Sequence, residues 1–238
     1  MTSTVVIPHI HRCANVIAIV IVLTSISVPV ISLELEEQTS CADLSQIQTD
    51  ADHGNARAQL TLARLYNEGQ CVTQDLKIGA KWLILSAKQD YAPAQGLMAA
   101  LFYRDHRYEE AKQLSLPAAG KGDAISQSIL GFLYQDGLGG LVKNDIEAAY
   151  WEKRAAEQGN GGAQATLAHM YYKGTGVTKD YIEADKWYII AESNGYDDVE
   201  YKVLRSLIEW YRMSKQDVAE AHRRAKVWSP TLEPQLSN

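Results

Sequence analysis

Metal, nucleophilic or acid–base chemistry would have to rest here on six histidines, three cysteines and 29 acidic residues. A zinc or metalloprotease site needs paired donors on one helical face or in a tight knuckle, as in HExxH or CxxC. Neither pattern occurs: His53, His106, His169 and His222 stand far apart, and His9 and His11 precede an apolar segment. The glycines of Gly174-Thr-Gly-Val-Thr-Lys-Asp180 lack the Lys-Ser/Thr of a phosphate loop and end a helix instead of following a strand. The acidic pairs Glu109-Glu110 and Asp197-Asp198 fall at helix starts or turns, where they complement the helix dipole. No catalytic residue, metal or cofactor is expected, and the chain reads as non-enzymatic.

Charge and hydropathy narrow the partners. The formal charge is −6, with no basic stripe, so no nucleic-acid partner is expected. Residues 14–31, ANVIAIVIVLTSISVPVI, carry no charge, follow Arg12 and precede the acidic run Glu34-Leu35-Glu36-Glu37. This is the layout of a secretory leader, expected over 1–32 with cleavage after Ser32, or after Ser27 as the competing site. Membrane contact is expected only if that segment is retained as an anchor, since its length is at the lower limit for a span. Cys13 precedes the apolar run and is misplaced for a lipoprotein site. The remainder is expected to be exported, most simply to the periplasm, or secreted.

The elements that would position any site come from an internal repeat. Gln59, Gln95, Gln127 and Gln164 each open a similar helical phrase, at steps of 36, 32 and 37 residues, and a further step of 36 reaches Glu200. In the clearest unit Ala163, Leu167, Ala168 and Tyr171 form one stripe of a helix with 3.6 residues per turn. Gly174 stops that helix, Asp180 caps a second, and Ala184, Trp187, Tyr188 and Ala191 share the second helix's inner face. The first unit repeats the plan with Gly69, Asp75, Ala80, Trp82 and Ala87, and the third with Gly137, Ala148, Trp151 and Ala155. Small residues facing large aromatics suit closely packed helix pairs, which bury a continuous core only by stacking. The tryptophans are therefore read as core, not as a sugar platform. Met98 and Met170 also occupy core-stripe positions.

The stretch GAQATLAHMYYKGTGVTKDYIEADKWYIIAESNG, from Gly162 to Gly195, resembles the Sel-one-like repeat family, a class related to tetratricopeptide repeats. The resemblance covers roughly residues 43–229, with units near 56–90, 92–122, 124–159, 161–195 and 197–229, a linker at 33–42 and a tail at 230–238. It implies an all-α, right-handed α-α superhelix used for protein–protein contact, with the first helix of each pair on the concave face. The chain departs from the pattern in places. The second unit shortens its turn to Asp105-His106-Arg107 and carries Leu114 at the tryptophan position, and the fifth carries Arg224 there.

Without the leader two cysteines remain, and an even count in an exported chain invites a disulfide. Cys41 opens the helix before the first unit, and Cys71 follows that unit's first helix in place of a second loop glycine, so antiparallel neighbours bring the two together. Partner specificity is expected at positions that the repeat leaves free: Arg64, Phe132 and His169 five residues after the marker glutamines, and Tyr103 and Tyr172 eight after. Aromatics are enriched at binding hot spots. The expected function is a scaffold, adaptor or regulator that holds a protein or peptide on its concave face. The alternative is a β-lactam-binding or hydrolysing enzyme, like cysteine-rich secreted members of the family, although the cysteine pair that those carry in most repeats is lacking here.

Overall fold

The computed structural model describes residues 41–231. The leader expected over 1–32, most of the linker and the end of the tail lie outside the described residues. A single 3-10 turn, Cys41–Asp43, leads into α1 (Leu44–Asp52). There follow α2 (Ala56–Glu68), α3 (Leu76–Ala87), α4 (Ala92–Arg104), α5 (Tyr108–Gly120), α6 (Ala124–Asp136), α7 (Asp145–Glu157), α8 (Gly161–Lys173), α9 (Tyr181–Ser193), α10 (Val199–Arg212) and α11 (Lys215–Val227). The described residues contain no strand, and no helix among them is long and apolar enough to cross a membrane.

Each helix starts and stops for a local reason. Asp75, Asn144 and Asp180 each accept two backbone amides at the starts of α3, α7 and α9, which satisfies donors that a helix end leaves open. Asn55 and Asn160 do the same for α2 and α8 through Ala58 N and Ala163 N. At the other end Gly69, Gly137 and Gly174 turn left-handed, with φ of 71°, 68° and 74°, and return their amides to Leu65, Leu133 and Met170. The amides of Asp75, Asn144 and Asp180 then bond to the Tyr66, Tyr134 and Tyr171 carbonyls, closing three loops in the same way. In the second unit Arg107 N closes a shorter turn on Phe102 O at 2.8 Å, with His106 in the left-handed region at φ 60°.

The pairs α2/α3, α4/α5, α6/α7 and α8/α9 are hairpins, and each packs on the next, so the fold is a stacked α-solenoid. Alanines make the close contacts: Ala111, Ala118, Ala119, Ala148, Ala155, Ala156, Ala163, Ala168 and Ala184 are all fully buried. Trp187 is buried, whereas Trp82 and Trp151 are half-buried at the edges of their clusters. One register read from the sequence is corrected. Gly79, not Ala80, makes the close contact of α3, because a Cβ on Gly79 would stand 2.2 Å from the Asn67 side-chain oxygen, while Ala80 is exposed.

The marker glutamines tie the layers together. Gln127 donates to the Ala119 carbonyl at 3.3 Å and accepts from Gln158 at 2.7 Å, and Gln164 repeats the arrangement with Ala156 and Asn194. Gln59 does so with Ala51 and Gln89. In the shortened second unit Lys121 stands where the answering amide would be and bonds to the Asp90 carbonyl, so Gln95 Oε1 is left buried without a hydrogen bond. The same unit lets the first helices α4 and α6 pack directly on each other, which other consecutive first helices scarcely do.

The last unit is not a hairpin. Asp198, two residues beyond Tyr196, caps α10, and α10 and α11 each pack on α9 instead of on one another. Trp228 closes the stack edge-on against Trp187, with centroids 5.8 Å apart, and Thr231 N bonds to the Glu157 carbonyl.

Candidate functional site

The row of residues at free positions on the first helices is half-buried throughout: Arg64 on α2, Tyr103 on α4, Phe132 on α6, and His169 and Tyr172 on α8. Half-burial follows from the register. These positions lie beside the stripe that packs against the second helices, so one edge of each ring covers the neighbouring layer and the other faces out.

The structure gathers the row into two ring clusters. Tyr103 lies 5.8 Å from Phe132 and 5.3 Å from Tyr108, and the His106 ring joins through a 2.6 Å contact between its Nδ1 and the Tyr108 hydroxyl. Arg107 stacks over Phe102 at 4.3 Å beside them. Farther along, His169 and Tyr172 are 6.2 Å apart, Tyr172 meets Tyr181 at 6.0 Å, and His169 meets Tyr201 of α10 at 6.4 Å. Lys173 Nζ sits 5.4 Å from the Tyr172 ring. Arg64 holds the register of His169 three units earlier. The shortened turn of the second unit builds the first cluster, because it brings Tyr108 and His106 under Tyr103.

Beside Tyr172, a groove of about 430 Å³ runs between α8 and α10, lined by Tyr172, Leu207, Ile208, Tyr211 and Arg212. The residues that α10 contributes were not legible as a site, because their stripe alone does not say which neighbour is missing.

Cys41 and Cys71 are joined, with Cα atoms 5.2 Å apart. The bond ties the turn before α1 to the loop after α2.

Buried ionisable groups form a second set that spacing did not reveal. Arg205 of α10 donates to Asp185 at 2.8 Å, Glu192 at 2.9 Å and Glu209 at 3.0 Å, and lies 3.3 Å from His222 Nε2. Asp185, Glu209 and His222 thus converge like metal donors, but the guanidinium is the cation among them. Burial pushes the Asp185 carboxyl up to about 6 in spite of Arg205. Burial also raises Glu152, which accepts a single bond from Ser128, well above the usual carboxylate range, and raises Asp123 to about 7. Asp123 stands at the start of α6 without a side-chain cap bond and presses on α4 where Gly96 leaves room, since a Cβ on Gly96 would stand 2.3 Å from its carboxylate. These three carboxyls come from three different helix junctions and do not meet as a catalytic pair.

Stacked helix pairs with capped loops, a buried glutamine tie and a row of half-buried aromatics at positions the repeat does not fix define an α-solenoid repeat protein. The Sel1 repeat model matches residues 56–91, 124–160 and 162–196, and the chain belongs to the Sel1 repeat family. Of the five units, the contracted second and the splayed fifth are not among the matched residues. The chain is similar to the crystal structure of a protective antigen present in uropathogenic Escherichia coli strains, which displays an SLR fold, with 29% identity and a TM-score of 0.64 over 78% of this chain and 40% of that one. It shares its fold with a Sel1 repeat protein from Oxalobacter formigenes, at 22% identity and a TM-score of 0.57 over 79% of this chain and 84% of that one. Among curated proteins it is 31% identical over 160 residues to Chitin synthase regulator SKT5 of Saccharomyces cerevisiae, covering 63% of this chain but 23% of that relative's length.

Proposed function

We propose that this chain is an exported binding scaffold that holds a protein or peptide against the first-helix face of its solenoid. The observation that carries this reading is the aromatic row. Tyr103, Phe132 and Tyr172 occupy equivalent or adjacent free positions of successive units and keep an exposed edge, while the repeat's own tryptophan and alanine positions complete the core. Rings held by neighbours lose little side-chain freedom on binding, which favours them as anchors. Arg64 and His169 extend the surface at either end. The curated relative is described as a regulator of an enzyme, which agrees with action by binding. The Cys41–Cys71 bond favours an oxidising compartment, as export to the periplasm or the medium would provide.

The test is affinity capture from the native cell with the natural chain and with Tyr103→Ala, Phe132→Ala and Tyr172→Ala combined. The expected result is loss of the captured partner at unchanged helicity by circular dichroism. Undiminished capture would refute the surface, and a loss of helicity would show that the rings belong to the core.

A further inference from the structure

The groove beside Tyr172 offers hydrogen-bond donors and no acid. Of its lining residues Ile208 is buried at 1% exposure, while Leu207 and Tyr211 are 48% and 71% exposed. Arg212 is the charged member of the lining, and among the described residues no hydrogen bond or ion pair holds it. The Tyr172 hydroxyl has no hydrogen-bond partner among them either. Lys173, whose Nζ lies 5.4 Å from the Tyr172 ring, adds a second cation without an acid.

The acids of this end of the stack are committed elsewhere. Glu209 is turned to Arg205 at 3.0 Å, Asp180 caps α9, and Asp217 closes the capping box with Ser214. Arg212 and Lys173 stand in the last turns of α10 and α8, where each also complements a helix C-terminus. A C-terminus carries only about half an elementary negative charge, so each full charge leaves an excess. In a chain of net charge −6, an apolar groove is thus edged by two cations that nothing in the fold answers.

We infer that this groove takes an acidic segment of the partner: a large apolar side chain seated over Ile208, and beside it an Asp or Glu side chain gripped by Arg212. A guanidinium matches a carboxylate with two parallel hydrogen bonds, and the Tyr172 hydroxyl supplies a further donor. At about 430 Å³ the groove is near the lower end of ligand pockets, room for one anchor side chain and its neighbour. The inference rests on the first-helix face being the binding surface, of which this groove is the far end.

A short fluorescein-labelled peptide, C-terminally amidated, with a central Phe-Glu-Glu in a Gly-Ser background, reads the groove by polarisation with the purified chain. One apolar anchor and one ion pair set the expected dissociation constant at roughly 10–100 μM at low salt. Replacing the peptide's Phe by Ala, or both its acids by Gln, should each weaken binding by about tenfold. Arg212→Glu should weaken it by at least about tenfold at unchanged helicity, and Arg212→Lys, which keeps the charge but not the fork, by less. No binding up to about 1 mM peptide, equal binding of the Gln peptide, or indifference to Arg212→Glu would overturn the proposal. So would a peptide bound only with its C-terminus left as a free carboxylate, since a chain end and not an acidic side chain would then be the ligand. The two readings fail separately. Partner capture that survives Arg212→Glu but is lost with the three ring substitutions refutes the groove and leaves the scaffold standing. Capture indifferent to the ring substitutions refutes the face, whatever the peptide does.

Discussion

Gly176 lies so close to Asp145 that a Cβ on it would stand 1.9 Å from the Asp145 carbonyl oxygen. Gly139 stands in the same relation to Tyr108, at 2.6 Å. In both cases the second loop glycine of one unit rests on the first residue of the preceding unit's second helix. At the front of the stack Cys71 takes this position with a φ of 60°, and its side chain bonds to Cys41 at the start of the preceding helical segment. The disulfide thus replaces a backbone contact that glycine makes elsewhere.

Gly176→Ala should therefore cost roughly 2–4 kcal/mol, from left-handed strain together with the overlap on Asp145. Gly54→Ala is the control. Its φ of 92° is also left-handed, but nothing lies within 4 Å of an added Cβ, so it should cost about 1–2 kcal/mol from strain alone. Urea unfolding of the two variants checks the difference, and equal costs would refute the contact.

Reducing the disulfide, or Cys41→Ser with Cys71→Gly, opens a loop set by a sequence separation of 30. The chain-entropy estimate for such a loop is roughly 3–4 kcal/mol. Because repeats couple chiefly to their neighbours, the loss should be concentrated in α1 to α3. Hydrogen exchange should show those helices opening while α6 to α9 keep their protection.

The glutamine ties should not be equivalent. Gln127→Leu removes two buried hydrogen bonds, to the Ala119 carbonyl and from the Gln158 amide, which keep only their bonds to Gly122 N and the Arg154 carbonyl, and should cost about 1–3 kcal/mol. Gln95→Leu gives up one bond to Asp90 but removes an oxygen that has no partner, so it should stay within about 1 kcal/mol of the natural chain. Matched denaturation curves decide the point.

Stability should fall as pH rises from about 4 to 7. Asp123 has an ordinary carboxyl value of 3.8 when unfolded and about 7 when folded, because burial disfavours the anion. The folded state therefore binds more protons in that window. The stability this contributes is fully present below the unfolded value and is lost as pH rises through the folded one. The slope is on the order of 1 kcal/mol per pH unit at most. Asp123→Asn should flatten it measurably in denaturation midpoints between pH 5 and 8, and an unchanged slope would assign the effect elsewhere.

The helix pairs were legible because their signals are local. Gly69, Gly137 and Gly174 end helices, Asp75, Asn144 and Asp180 begin them, and alanines recur in phase with Trp82, Trp151 and Trp187, so the repeat and the family could be read without a structure. The first unit shows the limit of such phasing: Ala80 and Gly79 are adjacent and both small, and only packing against Asn67 distinguishes them. The residues of the aromatic row could be named from the repeat, but not their grouping, since Tyr108 and His106 reach Tyr103 only through the shortened turn.

What the sequence by itself determined was the repeating unit, its capped loops and the positions left free within it. Each depends on the chemistry of residues a few places apart. Tertiary structure alone decided how the ends depart from that plan. Arg205 meets Asp185, Glu192 and His222 across three helices, α11 returns to α9, and α10 keeps an apolar side facing out. Those outcomes rest on which helix wins a place on the last layer, a competition between distant surfaces that no local pattern encodes.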